Sequence, residues 1–81
     1  MGMPSIFRDL LGMNGYMYKE TDGKHHQKHF HVKVGDTWIA LGFDGTILSG
    51  DASKLSKKQK KALSQWIASH REFLEKKWRD M

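Results

Sequence analysis

The chain contains no cysteine and a single proline among its 81 residues. Without cysteine it cannot form disulfides, thiolate zinc sites or a cysteine nucleophile, and this composition fits a reducing compartment. No apolar run approaches the roughly 20 residues that a membrane helix needs, and the first residues lack the basic and apolar parts of a signal peptide. We therefore expect a cytoplasmic protein with no membrane partner.

Acidic residues are also scarce. Nine Asp and Glu stand against fourteen Lys and Arg, which gives a formal net charge of +5. A basic surface favours anionic partners such as nucleic acid, nucleotides or acidic proteins. The hydrophobic content of 38% is sufficient for a folded core, and the chain is too short for two independent cores. The sequence therefore predicts one domain over residues 1–81.

The short chain also predicts self-association. A small domain buries a smaller fraction of its surface than a large one, and here no disulfide compensates for the small core. We therefore expect a homo-oligomer, with a symmetric dimer as the favoured form.

The middle of the chain has the pattern of an antiparallel meander. Polar and apolar residues alternate from His29 to Val34, which is typical of a half-buried strand. Turn signals at Gly35-Asp36 and Asp44-Gly45 separate this segment from two further apolar segments. The predicted strands are residues 16–19, 29–34, 37–41 and 46–48, while the type of residues 4–12 stays open.

The C-terminal third has helical periodicity. Apolar residues recur there at spacings of three and four, which predicts one helix face that covers the sheet. Ser56 is the expected N-cap, and Asp51 or Ser53 could cap an earlier turn. The region is either one long helix or two helices with a bend near Ser69-His70. The predicted fold class is α+β, with a small antiparallel sheet of three or four strands packed against a C-terminal helical region. The predicted stripe comprises Leu63, Trp66, Ile67, His70, Leu74 and Trp78.

Several short signatures occur in order along nearly the whole chain. The most distinctive is His29-Phe30-His31-Val32, followed by Gly35-Asp36. The others are Met3-Pro4-Ser5-Ile6, Gly15-Tyr16-Met17-Tyr18, Asp44-Gly45, Gly50-Asp51, Trp66, His70-Arg71-Glu72-Phe73-Leu74 and Trp78. Together they resemble the small bacterial and phage family of domain of unknown function DUF4160. Relatives usually place one or two prolines before the histidine segment, where this chain has Gln27 and Lys28. The resemblance implies a small α+β fold and gene neighbours that look like toxin and antitoxin partners, and it implies no chemistry.

A polar row on the predicted central strand is the main candidate site. His29, His31 and Lys33 are two residues apart, so their side chains project to one face. Imidazole and ammonium groups donate hydrogen bonds to phosphate or carboxylate oxygens. The alternative is a solvated polar face with no ligand. The residues expected to flank the row are Lys28, Tyr16, Tyr18 and Trp38.

Trp38 and a group of lysines add to this interpretation. If Ile39 and Leu41 line the core, Trp38 lies on the opposite face, where it could stack on a base, pack against the helix or enter a subunit interface. The lysines at the start of the helical region could follow a nucleic-acid backbone, although solubility alone would explain them. These lysines are Lys54, Lys57, Lys58, Lys60 and Lys61.

The histidines also allow other chemistry. His25 and His26 could join the row as metal ligands, but the neighbouring lysines would repel a cation. We therefore predict no metal and no cofactor. A histidine pair can cleave RNA by general acid and base catalysis, but no diagnostic motif supports an enzyme, so activity stays open with binding preferred.

The expected function is therefore noncatalytic binding of a phosphate-bearing ligand, either a nucleotide-type small molecule or nucleic acid. Such a protein could sequester a nucleotide signal for a phage or mobile element. The alternatives are a toxin-like ribonuclease that uses the same histidines, or an interaction module of a toxin-antitoxin pair.

Overall fold

The computed structural model describes residues 5–17 and 28–80. These residues form one antiparallel sheet in which the strand order follows the chain order, and two helices follow it. The strands are β1 (Ser5–Leu10), β2 (Met13–Tyr16), β3 (His29–Val34), β4 (Thr37–Gly42) and β5 (Ile47–Ser49); a 3-10 turn (Ala52–Lys54) leads to the helices α1 (Lys57–Ser69) and α2 (Arg71–Arg79). The α+β class is confirmed, whereas the predicted number of three or four strands is wrong because the sheet has five.

The additional strand comes from an N-terminal hairpin. β1 pairs with β2 around the turn at Leu11-Gly12, and the pairing register shifts twice along β1. Asp9 and Leu11 have positive φ angles of 52° and 51°. Irregular pairing of this kind breaks the alternation from which a strand is predicted. Because β2 covers Met13–Tyr16, the strand expected at residues 16–19 begins earlier than predicted, and positions 18 and 19 lie outside the described residues.

The central meander follows the prediction closely. β3 has the predicted bounds, β4 is one residue longer than expected, and β5 is displaced by one residue. β3 is the middle strand of the sheet, with β2 on one side and β4 on the other. Its pairing with β4 runs from His29 opposite Gly42 to Val34 opposite Thr37.

The core lies between the Phe30 face of the sheet and the helices. The side chain of Phe30 packs near Trp66 of α1, with the ring centroids 6.3 Å apart. Met13 and Met17 are fully buried, because flexible thioether side chains fill irregular space in a small core. On the apolar face of β3 and the predicted helix stripe, Phe30, Val32, Leu63, Ile67 and Leu74 are buried, whereas Val34 and Trp66 are partly buried and pack against them.

Two helices, not one, cover the sheet. Ser56 is the N-cap of α1, as predicted, and the structure adds a reciprocal capping box with Gln59. The break falls at His70, whose φ and ψ of −119° and 23° are not helical. The imidazole of His70 stacks on Trp66 with centroids 4.3 Å apart, and it is exposed. The prediction that His70 lies on the helix face that covers the sheet is therefore wrong, because His70 ends α1 and precedes α2. No helix in the described part of the chain is long and apolar enough to span a bilayer.

Candidate ligand-binding face

Strand alternation builds a polar and aromatic surface on the side of the sheet opposite Phe30. On β3, His31 and Lys33 project to this side. The neighbouring strands add one aromatic residue each, since Tyr16 of β2 lies opposite His31 and Trp38 of β4 lies opposite Lys33. We call Tyr16, His31, Lys33 and Trp38 the aromatic face.

The side chains of the aromatic face contact one another. The rings of Tyr16 and Trp38 have centroids 5.5 Å apart and are tilted by 47°. The ammonium nitrogen of Lys33 lies 5.7 Å from the centroid of the Trp38 ring, within the range of a cation-π interaction. Trp38 is nevertheless 40% exposed. The face thus offers an open indole surface beside a positive charge.

His29 differs from the other members of the polar row because it is only 2% exposed. Its ring centroid lies 5.6 Å from that of Trp78 near the end of α2, and 5.2 Å from that of His31. On the neighbouring strand, Gly42 of β4 lies opposite His29. We expected the whole polar row to be open. This expectation is wrong for His29, which is buried beside α2.

Lys28 lies at the same end of β3 but contacts α2 rather than the aromatic face. Its ammonium nitrogen is 2.6 Å from a carboxylate oxygen of Glu75. This hydrogen bond and charge hold the pKa of Glu75 below its usual value of about 4.5. Arg71 lies 4.0 Å from the same carboxylate and donates a hydrogen bond to the carbonyl oxygen of Phe43 at 3.0 Å. These contacts attach the start of α2 to the sheet.

Some predicted site residues lie outside the described part of the chain. Tyr18 is one, and the two histidines considered as additional metal ligands, His25 and His26, are the others. Within residues 5–17 and 28–80, no three His, Cys, Asp or Glu side chains are grouped so that they could hold a metal ion.

The direct contact between Tyr16 and Trp38 was not expected from the sequence. Both residues are candidates from the sequence, but their proximity depends on the register of β2 against β3, which places Tyr16 opposite His31. The useful signal is the two-residue spacing of the polar row, because any aromatic residue paired directly opposite a member of that row shares its face.

A comparison with known families finds a match over most of the chain. The family model described as "Domain of unknown function (DUF4160)" matches residues 12–79. No curated protein and no solved structure matches the chain.

Proposed function

The chain belongs to the DUF4160 family, whose description names no activity, and we propose from its geometry that it binds a phosphate-bearing nucleotide or nucleic acid without cleaving it. The observation that carries this proposal is the exposed indole of Trp38 beside the ammonium group of Lys33. The indole can stack on a base and the ammonium group can bind a phosphate, and a nucleotide carries both of these groups.

The physical basis is stacking combined with charge. Every nucleobase has an aromatic face, and stacking on a side-chain ring contributes about 1 to 3 kcal/mol per base. The ammonium group donates to phosphate oxygens, and His31 adds a second donor on the same strand. The sheet fixes the backbone positions of these residues, which reduces the conformational entropy that is lost when the ligand binds.

The position of His29 favours binding over catalysis. A ribonuclease that used the two histidines would need both imidazoles within reach of the reacting phosphate. His29 is buried against Trp78, whereas His31 is half-buried. A ligand on the aromatic face therefore meets one histidine and would remain intact, as a protein that sequesters a nucleotide signal for a phage or mobile element requires.

The proposed form is a symmetric homodimer in the cytoplasm. Phe73 of α2, which is not part of the aromatic face, is 43% exposed, and a chain of this size gains stability by covering such surface. Light scattering across the micromolar range should give twice the chain mass. The monomer mass at every concentration would contradict the dimer.

The test of the proposed site is a pair of aromatic substitutions. Binding of fluorescein-labelled single-stranded RNA of about ten nucleotides is followed by polarisation, with ATP as an unlabelled competitor. Trp38→Ala should weaken RNA binding by roughly 5- to 150-fold, the equivalent of one stacked base. Phe73→Ala is the matched control, because Phe73 is similarly exposed at 43% but lies on α2. Equal affinity of Trp38→Ala and wild type, with folding verified by circular dichroism, would eliminate the aromatic face as the site.

A further inference from the structure

The segment around α1 carries a concentration of positive charge. Between Ala52 and His70 the sequence has five lysines and no aspartate or glutamate. Among residues 5–17 and 28–80, the ion pairs with Glu75 use Lys28 and Arg71, and none involves these lysines. Lys54, Lys57, Lys58 and Lys61 are all exposed, and we call them the α1 lysine surface.

This arrangement is unfavourable for an isolated helix. Lys57 and Lys61 are four residues apart, a spacing at which like charges repel each other on a helix. Lysines in the first turn also oppose the helix dipole, and that turn contains no acidic residue. An anionic partner would relieve both effects.

The α1 lysine surface and the open indole lie at the same end of the sheet. The side chain of Gln59 in the first turn of α1 donates to the carbonyl oxygen of Leu11 at 2.9 Å, which places the start of α1 beside the β1–β2 turn. β-strand pairing places Met13, next to that turn, opposite Val34. Lys33 and Trp38 pair close to this same end.

The chain segment that leads to α1 passes directly beside Trp38. A Cβ atom on Gly50 would lie 2.5 Å from the carbonyl oxygen of Trp38. After this close approach the chain enters the 3-10 turn Ala52–Lys54, and α1 follows it. Lys54, the first of these lysines, therefore follows shortly after the point at which the chain passes β4, the strand that carries Trp38.

Resting on the proposed function, we infer that the ligand is a single-stranded nucleic acid that runs from the aromatic face over this end of the sheet onto the α1 lysine surface. The described protein measures 30 × 25 × 25 Å, so a mononucleotide on Trp38 cannot also reach the outer side of α1. Single-strand-binding domains contact roughly 4 to 16 nucleotides, a length that spans such a path.

A duplex does not fit the same path. Its bases are paired and stacked, so none is available to stack on Trp38. Its persistence length of about 50 nm also prevents it from turning sharply around a small domain. A single strand satisfies both requirements.

The experiment compares ligand length and salt dependence. AMP and labelled single strands of about 4 and about 12 nucleotides, as RNA and as DNA, are titrated against wild type and a Lys57→Gln, Lys58→Gln, Lys61→Gln variant. The control variant is Lys76→Gln, Lys77→Gln, Arg79→Gln, which removes the same charge from α2. For the longest strand, the α1 variant should reduce the slope of log affinity against log salt by about 2, since each phosphate contact contributes roughly 0.7. The control variant should reduce that slope by less than half as much.

The outcomes separate this inference from the proposed function. One outcome is that AMP binds as tightly as the longest strand and the α1 variant binds like wild type, while Trp38→Ala binds more weakly. In that case the inference is overturned and the proposed function stands. If Trp38→Ala binds every ligand like wild type, both fail. Competition by polyglutamate as strong as that by the longest strand would also overturn the inference, because the surface would then select charge alone.

Discussion

The rings of Tyr16 and Trp38 lie 5.5 Å apart although their strands, β2 and β4, are not neighbours. The two side chains meet over the central strand β3, where His31 lies opposite Tyr16 and Lys33 lies opposite Trp38. This contact makes one surface out of three strands. Tyr16 therefore supports the indole on which a base would stack.

The first prediction concerns this support. Tyr16→Phe keeps the ring and should bind single-stranded RNA like wild type. Tyr16→Ala removes an aromatic pair that contributes about 0.5 to 1.5 kcal/mol, so affinity should fall by roughly 2- to 12-fold. Fluorescence polarisation measures both. Equal losses in the two variants would show that the hydroxyl group acts, and not the ring.

The second prediction is a pH dependence of binding that comes from His31. Protonated imidazole attracts phosphate more strongly than neutral imidazole, and histidine is the side chain that changes charge between pH 8 and pH 6. Oligonucleotide phosphodiesters keep their charge in this range, so affinity should rise as the pH falls. His31→Gln should flatten this profile.

The control for the pH profile is His70→Gln. His70 is exposed but stacks on Trp66 at the junction of the two helices, away from the aromatic face. This variant should retain the wild-type pH dependence. A profile that is flattened by His70→Gln and unchanged by His31→Gln would place the anion site at the helix junction instead.

The third prediction concerns the ion pair that attaches α2 to the sheet. The hydrogen bond and charge of Lys28 lower the pKa of Glu75 in the folded protein. Because the pKa is lower in the folded than in the unfolded chain, the pair stabilises the fold above the unfolded pKa of about 4.5. This stabilisation is lost as the pH falls through the lowered pKa.

Urea denaturation at pH 6 and pH 3 measures this effect. Glu75→Gln should reduce the difference between the two midpoints, because the titrating carboxylate is gone. Glu72→Gln, on an exposed position of the same helix, should leave the difference as in wild type. If Glu75→Gln leaves it unchanged as well, the ion pair does not contribute to stability in solution.

The fourth prediction tests the close approach between Gly50 and Trp38. Gly50 has a φ of +96°, and an added Cβ would collide with the backbone of β4. Gly50→Ala should therefore destabilise the protein by more than Gly12→Ala. Gly12 has a φ of +82°, and nothing lies within 4 Å of its Cβ position. Its substitution should therefore lower the free energy of unfolding only by the cost of a side chain in the left-handed region, about 1 to 2 kcal/mol. Equal midpoints for the two variants in urea would contradict this placement of the segment after β5.

The central meander and the helix stripe could be predicted from the sequence because each depends on local periodicity. The alternation from His29 to Val34 indicates which side chains share a face, and Ser56 marks the start of α1. The N-terminal hairpin could not be predicted, because its bulges near Phe7 and its positive φ at Asp9 interrupt the alternation.

The candidate site was predicted in part for a similar reason. Strand periodicity placed His31 and Lys33 together and Trp38 on the side opposite Ile39. His29 is buried beside Trp78, which lies 49 positions further along the chain, and such a tertiary contact has no local signature. The contact between Lys28 and Glu75 also depends on the bend at His70, where the sequence left one helix or two open.

The most direct test of the central claim follows the three indole N–H signals that the three tryptophans give in a nitrogen-15 spectrum. A Trp38→Phe variant assigns the Trp38 signal by its disappearance. When a single-stranded oligonucleotide of about ten nucleotides is added to wild type, the signal of Trp38 should shift progressively. Those of Trp66 and Trp78, which pack against the core, should change little. Saturating oligonucleotide that shifts the Trp66 or Trp78 signal and leaves the Trp38 signal in place would contradict binding at the aromatic face.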